Sequence, residues 1–198
     1  MNRSYRRVRM AISSLRLLPH FLILLATNEN AVIRADIARW AEVFHLRSPT
    51  TSRTLLAAFL ELMTFLPEFR SVFYFRLGTK ARPLHLLCRP LADLEIVCPQ
   101  AGPGLFFQHG NNTFITAESI GANCWIGRHV VIGYSNETDR PTIGNNVRIY
   151  AGAKIIGNVK VGDDAIVGLN TVVIDNVPAG VTVLGVPGKP VWKGKIAV

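Results

Sequence analysis

The chain has 198 residues, 49% of them hydrophobic and 18% charged, which excludes a disordered protein and allows one good core, or a small domain docked on a repeat array. Its formal charge is +9, yet no zinc-ligand spacing, helix-turn-helix pattern or aromatic RNP-type motif accompanies that charge, so nucleic acid is not an expected partner. Cys88, Cys98 and Cys124 are odd in number and lack metal-type spacing, which fits a reducing, cytoplasmic compartment better than a disulfide framework.

Arg3, Arg6, Arg7, Arg9 and Arg16 crowd the start, ahead of an apolar run from Leu17 to Ala26. Arg16 and His20 interrupt that run and no small-x-small cleavage pattern follows, so a signal peptide is not expected. No segment approaches the ~20 apolar residues of a membrane span. Two readings of the basic segment stay open: an oligomer-packing helix, which is favoured, and a peripheral contact with the inner membrane face. Beyond it, Asn30 is a candidate cap for a helix carrying Val32, Ile33, Ile37, Trp40 and Val43. Ser48-Pro49 signals a helix start ahead of Leu55, Phe59 and Met63. A third helix is predicted from about Pro67 to Leu77, with Gly78 at its end.

From Leu94 the sequence changes to β-branched residues, glycine and asparagine. Ile120, Ile126, Ile132, Ile143, Ile149, Ile155, Val161, Val167 and Val173 each open a six-residue unit, and glycine follows six of them. The fifth position is small or branched (Cys124, Val130, Val147, Ala153, Val159, Ala165, Thr171, Val177). Such a period marks a solenoid whose short parallel strands end at tight corners, where glycine is expected to supply positive φ. Three sides make one triangular coil. The register breaks between Ile132 and Ile143, so Tyr134–Pro141 is predicted to be ejected as a loop, and Pro178 is predicted to end the repeats. The expected division is an α+β chain: helical domain 1–90, parallel β-helix 91–185 and tail 186–198.

These repeats resemble the hexapeptide-repeat acyltransferases, particularly their serine acetyltransferase-like branch, which includes many capsule, lipopolysaccharide and exopolysaccharide O-acetyltransferases. The resemblance rests on Leu94-Glu95-Ile96, on Gly102 through Gly110 with its histidine, on Ile120 through Ile126, on Arg140 through Gly144, on Ala151 through Ile155 and on the Gly-Val-Pro-Gly-Lys-Pro tail. Asp36 with its neighbours and Phe69 through Gly78 resemble the branch's helical domain, so the likeness runs over residues 31 to 195. It implies a left-handed β-helix, a homotrimer or dimer of trimers, and acetyl-CoA as acyl donor without a metal.

His109, in a coil of glycine and asparagine, matches the family's catalytic histidine, and imidazole suits a general base near neutrality. The competing reading is an ordinary corner histidine. Glu95 stands where the family places the acid that orients the ring, one residue closer than usual, and also reads as a solvated strand-start glutamate. Gly133, Tyr134, Tyr150, Ala151, Gly168 and Leu169 match positions along the donor groove, with Lys189 and Lys193 as candidate phosphate contacts. Solenoid geometry alone also favours small residues there. Asp36, His129 and Arg140 are candidate acceptor contacts. Two departures concern the acceptor: Arg140 is followed directly by Pro141, without the branch's intervening histidine, and Gln108 replaces the aspartate before the catalytic histidine. These, with a polar loop suited to several hydroxyls, point to O-acetylation of a sugar in surface polysaccharide. The alternatives are a serine O-acetyltransferase of cysteine biosynthesis and a non-catalytic scaffold.

Overall fold

In the computed structural model, which describes residues 3–26 and 30–191, five α-helices precede the first strand. The chain divides into two units, Met1–Ala92 and Asp93–Val198. The first holds α1 (Arg3–Arg16), α2 (Leu18–Ala26), α3 (Asn30–Val43), α4 (Ser52–Phe65) and α5 (Pro67–Leu77), then a 3₁₀ segment over Gly78–Leu86. Pro67 opens α5 and Gly78 closes it at φ 68°, as the sequence predicts. For α4 the Ser48-Pro49 signal is superseded. Thr51 is the cap, its hydroxyl accepting from the Thr54 amide at 3.2 Å while the Thr54 hydroxyl accepts from the Thr51 amide at 3.0 Å.

Edge-to-face aromatics fill the helical core, with Phe59 meeting Phe73 at 5.0 Å and Trp40 meeting Phe69 at 5.4 Å. His20 is solvent-inaccessible within it. Its Nε2 lies 2.8 Å from the Tyr74 hydroxyl, and that hydroxyl donates to the Cys88 carbonyl at 2.6 Å. Nε2 is therefore the ring donor, and Nδ1 has no hydrogen-bond partner among the described residues. Burial first, and Arg16 second, lower the His20 pKa to about 4. Unfolded histidine takes up its proton near 6.5, so between roughly pH 6.5 and 4 the unfolded chain binds more protons than the folded one. The helical unit is expected to lose up to about 3 kcal/mol as pH falls through that window. Denaturant melts at pH 7 and 5 should separate wild type from His20→Gln, whose stability should be the flatter with pH.

The second unit is a left-handed parallel β-helix of about five coils with three faces. Face I stacks β1 (Leu94–Val97), β4 (Thr113–Thr116), β7 (Val131–Gly133), β10 (Lys154–Ile156) and β13 (Val172–Val173). Face II stacks β2 (Gln100–Ala101), β5 (Ser119–Ile120), β8 (Thr142–Ile143) and β11 (Lys160–Val161). Face III stacks β3 (Phe106–Gln108), β6 (Trp125–Gly127), β9 (Arg148–Ile149), β12 (Ile166–Val167) and β14 (Thr182–Leu184), and β15 (Lys189–Val191) adds antiparallel to β14. Every residue that opens a hexad, and every fifth residue, is buried. Each coil covers the apolar rows of the next, which is why the period is visible in the sequence.

Two expectations are corrected here. The glycines after the hexad openers do not supply positive φ; Asn123, Asn146 and Asp164 do so at one corner, and His129, Gly152 and Asn170 at another. Asparagine, aspartate and histidine tolerate that left-handed region better than other side-bearing residues. Gly121, Gly127, Gly144 and Gly162 answer close approach of the next coil's backbone instead. A Cβ on Gly162 would lie 2.5 Å from the Ala179 backbone nitrogen. Nor does Pro178 end the repeats. Val177 bridges Val161 and Val183 pairs with Val167, so a fifth coil closes after it.

Corner lengths differ in a regular way. From face II to face III six residues separate each inward residue from the next, as from Ile120 to Ile126 and from Val177 to Val183. From face I to face II the spacing varies, reaching eleven between Ile132 and Ile143 and falling to four between Val173 and Val177. From face III to face I it is six, except in the first coil, where eight residues run from Phe107 to Ile115.

Candidate active site

His109 occupies that lengthened corner. It follows β3 with φ 55°, is exposed, and its ring makes no hydrogen bond among the described residues. Asn112, at φ 48°, aligns with His129 of the next coil, because the His129 amide donates to the Asn111 carbonyl at 2.9 Å. The extra residues thus lift His109 clear of the repeating backbone. An exposed imidazole on a fixed corner can accept a proton from a hydroxyl brought to it.

The carboxylate that the fold brings to this corner is Asp93, which the sequence reading did not single out. Its Oδ2 accepts from the Asn112 amide and its carbonyl from the Thr113 amide, each at 3.0 Å. Glu95 lies further along β1, opposite Phe114, exposed and without a hydrogen bond to His109 among the described residues. Asp36 is buried in the helical unit, where Arg76 holds it bidentately at 2.8 and 3.2 Å.

The donor-groove candidates fall into two groups. Tyr150 and Gly168 directly follow successive strands of face III, and Ala151 and Leu169 stand at the III–I corner below Arg128 and His129. With His109 they form one column along the solenoid axis, covering three coil steps or roughly 14 Å. A Cβ on Gly168 would meet the Leu184 Cδ2, the end of a half-buried side chain that can rotate aside, so the backbone does not require glycine there. Lys189 is exposed on β15, opposite Leu184 at the far end of the same face. Lys193 lies outside the described residues. Gly133 and Tyr134 are elsewhere, at the I–II corner where the loop leaves. The eleven-residue spacing thus opens at the edge of face I opposite His109. Among the described residues no group of histidine, cysteine and acidic side chains could hold a metal ion, and all three cysteines are free and buried.

The loop is ordered by its own polar groups. Asp139 accepts from the Ser135 amide and hydroxyl and from the Asn136 amide at 2.6–2.9 Å, and Asn136 Oδ1 accepts from Thr138 and from the Asp139 amide. The Ser135 hydroxyl first, then the Asn136 amide, hold the Asp139 carboxyl below its ordinary pKa. Arg140 has no ion-pair partner among the described residues.

The fold and this corner define a hexapeptide-repeat transferase, and residues 140–175 match the family model described as bacterial transferase hexapeptide (six repeats). Serine acetyltransferase of Helicobacter pylori J99 is 36% identical over 120 residues, 58% of this chain and 70% of that protein. Serine acetyltransferase of Synechococcus elongatus is 34% identical over 128 residues, 62% of this chain; the chain spans about half of its length, 52%. Serine acetyltransferase of Neisseria gonorrhoeae, solved in complex with serine, superposes with a TM-score of 0.63 at 26% identity over 86% of this chain and 72% of that one. The Brucella abortus enzyme in complex with Coenzyme A gives 0.58 at 27% identity over 86% and 70%. The chain belongs to the hexapeptide-repeat acyltransferases, in their serine acetyltransferase-like branch.

The expectation of a polysaccharide-acetylating enzyme is overturned. These relatives and neighbours are serine acetyltransferases. The loop argument for a sugar fails physically as well, because Ser135, Asn136 and Asp139 direct their hydrogen bonds to one another.

Proposed function

We propose that the protein is a serine O-acetyltransferase, moving the acetyl group of acetyl-CoA to the hydroxyl of L-serine to supply cysteine biosynthesis. The observation that carries this reading is its 36% identity over 70% of a serine acetyltransferase. In the proposed step His109 accepts the serine hydroxyl proton as the oxygen attacks the thioester carbonyl. The tetrahedral intermediate then collapses, the C–S bond breaks, and the imidazolium returns the proton to the departing CoA sulfur. The column from His109 to Leu169 receives the extended donor arm, with Lys189 placed for its phosphates. Arg140, an unpaired guanidinium, serves the serine carboxylate.

His109 and Arg140 stand at opposite edges of face I, and that face exposes Val97, Phe114 and Ile174 between them. An apolar face flanked by both halves of a site supports a homotrimer, alone or paired, in which a neighbouring subunit completes each site. Light scattering is expected to give a trimer or hexamer; a stable monomer at micromolar concentration rejects this assembly.

Thiol release from acetyl-CoA is expected to depend on L-serine, and serine-independent release or none would reject the acceptor. The acid is tested separately. Asp93→Asn is expected to lower kcat by roughly tenfold through the His109 corner, and Glu95→Gln by less. A reversed order would return the orienting role to Glu95.

A further inference from the structure

We infer that the α1–α2 pair is a docking surface for an anionic phospholipid membrane, which seats the enzyme on the bilayer face by one basic, apolar-striped helix. Along α1, Tyr5, Val8, Ile12 and Leu15 are each more than half exposed. At roughly 100° per residue they fall in one stripe. Leu18, Leu22 and Leu25 of α2 are also more than half exposed. Ser13 of α1, Leu17 between the two helices, and His20 and Leu24 of α2 are buried in the helical unit. The stripe is therefore surplus to the fold of that unit.

The charge beside the stripe selects the occupant. Arg9 and Arg16 follow it one step round the helix, and no carboxylate pairs with either among the described residues. With Tyr5, Val8, Ile12 and Arg70 they line a concavity of about 360 Å³. Among the described residues Arg70 donates to the backbone carbonyls of Met63, Thr64 and Arg89 and pairs with no carboxylate. Burial is the main cause that lowers the Arg70 pKa; Arg16 and Arg9 add to it, while Cys88 and Tyr74 oppose it. A phosphodiester headgroup supplies an anion while the acyl region takes the stripe.

A second copy of the chain fits less well. Residues 1–26 contain no aspartate or glutamate, so two such faces would meet with arginines opposed and no acid to separate them. Among the described residues no single helix is long and apolar enough to cross a membrane. With its charge and its apolar stripe on adjoining sides, α1 suits the plane of the interface.

The test is co-sedimentation of the full protein with phosphatidylcholine vesicles, with and without about 30 mol % phosphatidylserine. Wild type is expected to bind only the anionic vesicles and to be released at about 0.5 M salt. Ile12→Asp/Leu15→Asp and, separately, Arg9→Gln/Arg16→Gln are each expected to weaken binding about tenfold or more. Thiol release in solution should be unchanged in both. No binding to anionic vesicles, equal binding to neutral ones, or binding retained in both variants would overturn the inference. So would a change of oligomeric state in the aspartate variant by light scattering, since the stripe would then be a subunit contact. If that variant misfolds by circular dichroism, the arginine pair, which is exposed, decides. A serine acetyltransferase assay that fails while vesicle binding succeeds would reject the catalytic reading alone.

Discussion

His109→Ala is expected to lower kcat for acetyl transfer by about 10²–10⁴, the usual contribution of a positioned general base, while fold and assembly persist. The fold should survive because the ring makes no hydrogen bond among the described residues and lies outside the buried rows. Its φ of 55° is mildly unfavourable for alanine, so a small loss of stability accompanies the change. His109→Asn keeps a residue tolerant of that backbone and separates the two effects. Both variants should be comparably inactive in thiol-release assays, with KM for acetyl-CoA altered by less than about threefold, because uniform donor binding does not need the base. Near-wild-type turnover in either variant would remove His109 from the mechanism.

The largest structural effect is expected at the II–III corner. A Cβ on Gly121 would stand 2.5 Å from the Gly144 carbonyl carbon and 2.6 Å from the Asn145 nitrogen, all backbone atoms of the next coil. Gly121→Ala therefore forces coils apart rather than rotating a side chain aside, and about 1–3 kcal/mol of destabilisation is expected. Gly133 is the internal control. It also follows a hexad opener, but its added Cβ would meet nothing closer than 3.9 Å. Gly133→Ala should stay within about 0.5 kcal/mol of wild type. Denaturant midpoints at constant m-value give both numbers, and equal destabilisation at the two sites would contradict the close-approach account.

The solenoid was legible because burial and period coincide: Ile126, Ile149 and Val167 are simultaneously a sequence repeat and one inward row. The α5 helix was legible because Pro67 and Gly78 act locally on φ. What the sequence concealed depends on counting across coils. Asp93 reaches the His109 corner only through the register of β1 on β4. Val177 falls in the Val161 row because its coil is short. The glycine role was misread for a similar reason: a tight corner and a close neighbour favour the same residue, and only the stacked backbones distinguish them. The acceptor is hidden because Ser135, Asn136 and Asp139 of the polar loop bond one another, which composition alone does not reveal.

The uneven corners have a consequence for descent. The II–III corner keeps six residues in each coil, locked by backbone contacts such as that of Gly121 on Gly144. Surplus or missing residues appear instead at the edges of face I, and there stand His109 and the Tyr134–Pro141 loop. A deletion or duplication in this gene is thus channelled by the scaffold toward the two corners proposed to hold the base and the acceptor. Relatives with new acceptors should differ first by gaps at those two corners and only afterwards by substitutions along the strands. For the same reason, loop transplants between members can be cut at Ile132 and Ile143, whose places in the stack do not depend on what is spliced between them.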